Sequence, residues 1–402
     1  MTGKPKVVQY DNIKALPADM RFSCLSGFNY YALTGDAVTV FGQRRQVVRH
    51  HRTGERFYIV PVQLPYSMHL QGHHDKDVVD TDLAHWYKII SRPMPASQFQ
   101  WPIDLMLNNG LHYLVFPMID ADASWKPIAE LLDNVNADHR VVREFAEDAG
   151  ASNSLTLAVG RSLLTGWGRL LDAGYLYCGF TGNNVFYNTH SGEVCFGFSP
   201  AARSLPGFAQ QMFACSPLTW MPSGMVGVPT ALLDEARLYE TVHRGQLNLD
   251  LDYLDVAGYN RIIAAIDQGT GTPETDVFSE LFTITSVLFR LLVGRLPYNG
   301  RIMAPEPNEP GEVHEEWCKT YHRNADFIFD PDNEVNHIGD GYTSPADNVF
   351  VRNWEKLPDG VREAFTTVLT QGTERVGSTH LRWCRPSTWL QRLEGFEAQP
   401  LD

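Results

Sequence analysis

Few of the residues able to do chemistry in this chain stand at spacings that make a site. His73, His74, Asp75 and Asp77 are metal-binding types, but no further ligands follow at the intervals of a closed coordination shell. They read as a solvated loop. Asp330, Asp332 and Glu334 have the alternation of a calcium loop. Its sixth position requires glycine and holds Val335; its twelfth requires a bidentate glutamate and holds Tyr342. Calcium is therefore not expected. Cys178 is a nucleophile type with His190 as its candidate base, and a buried structural thiol is the simpler expectation. Arg44, Arg45, Arg49, Arg52 and Arg56 are able to touch phosphate, and His50-His51 among them reads as a basic turn. The six cysteines contain no CxxC pair. Neither a zinc ribbon nor a disulfide framework is indicated, and a reduced, cytoplasmic setting is expected.

Bulk properties narrow the classes further. The chain has 402 residues, 44% hydrophobic and 20% charged, as in globular proteins. Its net charge of −14 argues against a nucleic-acid binder and against anionic membranes. The N-terminal residues lack the apolar core of a signal peptide. The most apolar run, 277–293, carries Glu280 and Arg290 and so reads as a buried helix.

The elements that must position any site change period partway along. Segments 31–41 and 56–63 read as strands, and 101–107 and 111–116 as a hairpin around Asn108-Asn109-Gly110. Residues 78–90 suit a helix. Beyond Pro117 helical spacing takes over, with a short helix at 125–132 and a longer one at 155–171 capped from Ser152 to Ser154. An irregular loop leads to two short strands, 184–187 and 193–196, with NTHSG as their turn. Further helices are expected at 276–292, 360–370 and 387–393. Residues 304–350 are acidic and aromatic with few aliphatics, which suggests a surface insertion. The aromatics Trp220, Trp317, Tyr321 and 327–329 suit either a partner surface or packing of that insertion.

This order, with several of its residues, resembles the protein-kinase family. The loop GYLYCGFTGNNVFYNTHSGEVCFGFS is similar to the kinase catalytic loop running through to the metal-binding loop. Asn184 matches the family's Asn, the position five earlier is Gly179, and Tyr177-Cys178-Gly179 stands for His-Arg-Asp. Gly197-Phe198-Ser199 stands for Asp-Phe-Gly. TDVFSELFTITSVLFRLLVGRLPYNG resembles the large central helix, with Asp276 and Ser279 at its start. Arg385-Pro386-Ser387 resembles the closing motif. LPYNG, EEWCKTYHR, FIFDPDNE and WEKLP together resemble bacterial Ser/Thr-kinase-like proteins. The resemblance implies an α+β, bilobal fold: a strand-rich N-lobe at 1–119 and a larger helical C-lobe at 120–402, with insertions near 224–272 and 304–350. Asp276, Ser279 and Arg385 would be structural anchors, with Asp276 bonding the backbone of the catalytic loop.

The groups that phosphoryl transfer needs are missing. From 173 to 233 there is no aspartate, and Glu193 is the sole acidic residue, so no shift of alignment restores either aspartate. Tyr58-Ile59-Val60 stands for the lysine-bearing strand motif, with Val60 in the lysine's place. No lysine occurs from 15 to 75 and no glutamate from 56 to 129. Gly27 and Gly35 form no GxGxxG. A pseudokinase is the expectation: a binding, scaffold or regulatory protein with a protein partner, no nucleic acid, no membrane and no cofactor. Asn184 remains as a possible nucleotide contact. The alternatives are an atypical nucleotide-dependent transferase and a sensor that binds ATP weakly or without metal.

Overall fold

The computed structural model describes residues 21–25, 30–62, 86, 89–91, 94–106, 112–119, 124–133, 149–178, 180–199, 202–204, 209–210, 274–275, 277–304, 306–307, 312–323, 325–339, 348–370 and 384–396. The chain is of the α+β class and divides into two compact units. One comprises Met1–Pro93 with Gln100–Ala123, the other Met94–Phe99 with Ser124–Asp402.

The first unit is an antiparallel sheet of six strands: β1 (Arg21–Ser23), β2 (Tyr30–Val40), β3 (Gln43–His50), β4 (Arg56–Val62), β5 (Asp104–Met106) and β6 (His112–Pro117). Their order is β1-β2-β3-β4-β6-β5. Phe41 and Gly42, with φ of 48° and 75°, form the two-residue link from β2 to β3. Positive φ at both central positions matches the right-handed twist of the flanking strands. Just after β1, Cys24 bridges Met106, and the Leu25 N–H donates to the Leu105 carbonyl at 2.8 Å. The chain just after one edge strand thus meets the other edge strand at this bridge. The space inside is filled by Cys24, Tyr31, Leu33, Val48, Phe57, Ile59, Met106, Tyr113 and Val115. Asp104 is fully buried and its carboxylate accepts from the Leu105 N–H at 2.9 Å. Burial first, and then Asp104, pushes the Cys24 thiol well above its usual range. That thiol is a packing group and not a nucleophile.

The sequence reading of this unit holds for β2 and β4. The hairpin pairs in the expected sense, with Met106 opposite Tyr113. Its first strand is shorter than expected, because Trp101 is buried with its indole N–H on the Ile89 carbonyl at 3.1 Å. Of the helix expected at 78–90, Trp86, Ile89 and Ile90 are helical, and the remainder lies outside the described residues.

The second unit is mainly helical. Its elements are β7 (Trp125–Pro127), α1 (Ile128–Asp133), α2 (Ala149–Asp172), β8 (Tyr175–Leu176), β9 (Val185–Asn188), β10 (Val194–Phe196), β11 (Arg203–Ser204), β12 (Ala209–Gln210), β13 (Glu274–Thr275), α3 (Val277–Val293), α4 (Glu312–Arg323), α5 (Asn348–Lys356), α6 (Asp359–Thr370) and α7 (Pro386–Arg392). The helix α3 is central: Leu281, Phe282, Ile284, Val287, Leu288 and Phe289 are all buried. Gly160 of α2 lets the two helices approach, since a side chain there would touch Leu288 and Leu291.

Three expectations are corrected here. The short helix at 125–132 opens as a strand: Trp125, Lys126 and Pro127 pair with β9, and helix begins at Ile128. Pro127 has no N–H to give, which suits a sheet edge. Residues 152–154 are not caps, because α2 starts at Ala149 and they lie inside it. Finally, the described part of 304–350 does not lie wholly at the surface. Trp317, Cys318, Tyr321, 327–329, Asn336 and Ile338 are buried. Phe289 of α3 packs against the rings of Phe327, Phe329, Trp354 and Phe365, and Phe329 stacks on Trp354 at 4.6 Å. Aromatic side chains bury as much area as aliphatic ones, so a shortage of aliphatics did not mean exposure. Residues 224–272 and Trp220 lie outside the described residues.

Asn336 fastens this segment. Its amide donates to the Tyr298 and Asp326 carbonyls at 3.0 and 2.8 Å, and its oxygen accepts from the Ile302 N–H at 3.3 Å. Replacing it by alanine leaves these buried groups to be satisfied otherwise. Asn336→Ala is expected to lower the unfolding free energy by about 2–4 kcal/mol in urea titrations.

Candidate functional site

The segment that resembles a catalytic loop runs from β8 through β9 and β10 to Ser199, and it is built around one buried carboxylate. Glu280 lies on α3 with 2% exposure. One of its oxygens accepts from the Trp167 indole N–H at 2.8 Å and the Tyr177 N–H at 3.3 Å; the other accepts from the Cys178 N–H at 3.2 Å. Burial raises its pKa to about 7, and the bonds from Trp167, Cys178 and Tyr177 oppose that rise. The loop backbone is held by this group. Asp276, assigned that task by resemblance, lies outside the described residues; the carboxylate seen on the backbone is one helical turn further along.

Tyr177, in the histidine's place, is a strut. Its hydroxyl lies 2.9 Å from the Asn184 carbonyl and 2.8 Å from the Gly197 carbonyl. Burial drives its phenol well above the usual range, so it stays neutral. The Gly197 N–H closes the same ring by donating to the Asn184 carbonyl at 2.7 Å. Cys178 adopts φ of 47°, a left-handed conformation that is costly for a side-chain-bearing residue. It is pinned on both sides, by Glu280 at its N–H and by the Ser199 hydroxyl donating to its carbonyl at 2.6 Å.

Gly197, in the place of the metal-binding aspartate, has no room for a side chain. A Cβ there would lie 2.5 Å from the Asn184 carbonyl oxygen and 3.0 Å from the Phe186 ring. Gly166 of α2 is similar: a Cβ would meet Phe196 at 2.4 Å. Phe196 in turn stacks on Phe99 at 4.7 Å and takes Tyr177 and Trp167 on its edges.

The polar side chains of the loop serve its own turns. The Asn184 side-chain oxygen accepts from the Thr181 N–H at 3.2 Å. Asn188 accepts from the N–H groups of His190 and Ser191 and donates to Ser124. Glu193 is exposed at the turn beside Ser191. His190 is exposed in that turn while Cys178 is buried.

The other candidate residues fall in separate places. Val60 sits on β4 opposite Leu114, on the same sheet face as Tyr58. Tyr58 is buried and stacks on Phe116 at 5.2 Å. Gly179 and the histidines and aspartates of 73–77 lie outside the described residues, as does Gly27. Gly35 has φ of 79° at the irregularity in β2. Ser279 is on α3, with Glu280 as its neighbour. Arg385 caps α7 in extended conformation, its guanidinium drawn down by burial against the opposing influence of Asp172. The would-be calcium residues are used as turn caps: Asp330 accepts from the Asp332 N–H, and Asn333 from those of Val335 and Asn336. Among the described residues no cluster of three or more His, Cys, Asp or Glu is placed to hold a metal. No helix among them is long and apolar enough to cross a membrane.

Sequence reasoning missed Glu280 as an anchor, although the signal was present. An ionisable residue inside a helix apolar almost all round must be paid for by buried donors, and the irregular loop supplies them. The chain matches no protein-family model and no curated protein sequence.

The raised pKa of Glu280 has a sign. Between the ordinary carboxylate value of 4.5 and about 7 the folded protein binds more protons than the unfolded chain. The stability contributed by this group is therefore full at low pH and falls as pH rises through that window. Glu280→Gln removes the titration. The stability difference between native protein and variant is expected to shrink from about pH 5 to about pH 8, measured by urea unfolding at both.

Proposed function

We propose that this chain is a non-catalytic, kinase-like binding module: two-lobed, acting through a protein partner, and without phosphoryl-transfer chemistry. The observation that carries the reading is the packing at Gly197. The position that resembles the metal-binding aspartate is closed by the Asn184 carbonyl at 2.5 Å from any Cβ. Magnesium at a phosphoryl-transfer site is held chiefly by carboxylates; the loop's described carboxylate, Glu193, is exposed, and the buried Glu280 of α3 beside it has its oxygens occupied by three N–H donors.

Two further features support it. The lysine position is the apolar Val60, between buried Ile59 and Pro61 on a strand whose neighbour Tyr58 is stacked on Phe116. Of the residues in place of the catalytic triplet, Tyr177 and Cys178 give their N–H groups to Glu280, and the Tyr177 hydroxyl lies between two backbone carbonyls. A loop wired in this way is a structural joint.

Thermal unfolding with and without ATP and magnesium tests the reading, together with transfer of labelled phosphate to a general acceptor protein. No shift and no transfer are expected. A magnesium-dependent shift that disappears in Asn184→Ala would sink the proposal. A shift that survives EDTA would favour a metal-independent nucleotide sensor in its stead.

Restoring one missing group should not restore chemistry. Gly197→Asp is expected to lower stability by at least about 2 kcal/mol, through overpacking against Asn184 and Phe186, and to leave the ATP response unchanged.

A further inference from the structure

The sheet of the first unit carries a charge opposite to that of the whole chain. From 21 to 62 the sequence has Arg21, Arg44, Arg45, Arg49, Arg52 and Arg56 against Asp36 and Glu55, a balance of +4 in a chain of −14, so the remainder carries −18. Every one of these cations is arginine, since lysine is absent from 15 to 75. Arg44, Arg49, Arg52 and Arg56 are exposed.

Register makes the arrangement more than a charged stretch of sequence. Arg49 on β3 stands directly opposite Arg56 on β4. Like charges in directly opposed positions of an antiparallel pair destabilise it. Arg45 lies further along β3 on the same face as Arg49, and it is half-buried, so that burial draws its guanidinium down. Asp36 reaches Arg56 at 3.3 Å, an exposed pair of little weight. The strands therefore hold several guanidinium groups close together, with the anionic complement largely missing from the described part of this unit.

We propose that the Arg45–Arg49–Arg56 face of β3 and β4, with Arg52 in the turn between the strands, is a docking surface for an acidic segment of a partner protein. Guanidinium groups match carboxylates through paired, parallel hydrogen bonds. The eight residues of β3 span about 25 Å. A short acidic segment of that length places its charges on the patch alone. A nucleic acid extends its charge beyond the patch and meets the repulsion of a chain at −14. This inference rests on reading the chain as a binding module and names the chemistry of its partner.

The test is fluorescence anisotropy of the full chain with a labelled oligoglutamate peptide, beside a labelled oligothymidine of equal charge. The native protein is expected to bind the peptide in a salt-sensitive manner and more tightly than the oligothymidine. Arg49→Gln with Arg56→Gln is expected to weaken peptide binding about tenfold or more. Its thermal midpoint should be unchanged or higher, because the like-charged pair is relieved. Arg352→Gln, an exposed arginine of α5, should leave the affinity unchanged. Absence of peptide binding, an unchanged affinity in the double variant, an equal loss in Arg352→Gln, or tighter binding of the oligothymidine would each overturn the proposal. These outcomes leave the non-catalytic reading intact. A response to ATP with magnesium would defeat that reading and leave the peptide result standing.

Discussion

A carboxylate inside an apolar helix is the constraint around which the second unit is arranged. Glu280 is 2% exposed, and an ionised group so placed is tolerated only with donors at hydrogen-bond distance. Trp167 supplies one from α2, and the backbone of Tyr177 and Cys178 supplies two from the loop. Two pieces of chain, α2 and the loop that follows it, must therefore meet α3 together. The cost of burial exceeds the gain from these bonds, which is why the pKa stays raised, at about 7.

Once the loop is fastened at its start, its remaining polar groups have few choices. Cys178 is driven to a left-handed φ, and its carbonyl turns to meet the Ser199 hydroxyl. That bond brings the end of the segment back beside its beginning. The Tyr177 hydroxyl and the Gly197 N–H then share the Asn184 carbonyl, and the resulting closure leaves no space for a side chain at Gly197. The residue choices at 177 and 197 are thus coupled. A tyrosine long enough to span two carbonyls and a glycine that lets them approach belong to one arrangement.

The strands and helices were largely legible from their apolar residues, alternating in β2 and in continuous runs in β4, β9 and α3. What escaped was long-range. The closure of the sheet through Cys24 and Met106 joins residues far apart in sequence and has no local signal. The strand at β7 was masked by a helical pattern that continues into α1. The burial of 325–339 was hidden because aromatics and Asn336 do there what aliphatics do elsewhere. In the site, the absence of aspartates was plain from residue types alone. That Glu280 holds the loop backbone required coordinates, because nothing in the spacing of Trp167, Tyr177 and Glu280 brings them together.

Unfavourable electrostatics tend to persist where a protein uses them. In a phosphoryl-transfer site they concentrate where carboxylates are held close together for metal. The loop between β8 and Ser199 has no such group: it holds a phenol kept neutral and backbone carbonyls that are already bonded, beside one carboxylate whose pKa burial raises. Its single strained residue, Cys178, is bonded at both its N–H and its carbonyl. The unfavourable charge lies instead on β3 and β4, where Arg49 faces Arg56 on an exposed sheet. Relief of that repulsion is a gain available to any anionic segment that settles there, and it is available at no comparable place in the loop. The distribution of strain therefore points away from the loop and toward the surface of the sheet.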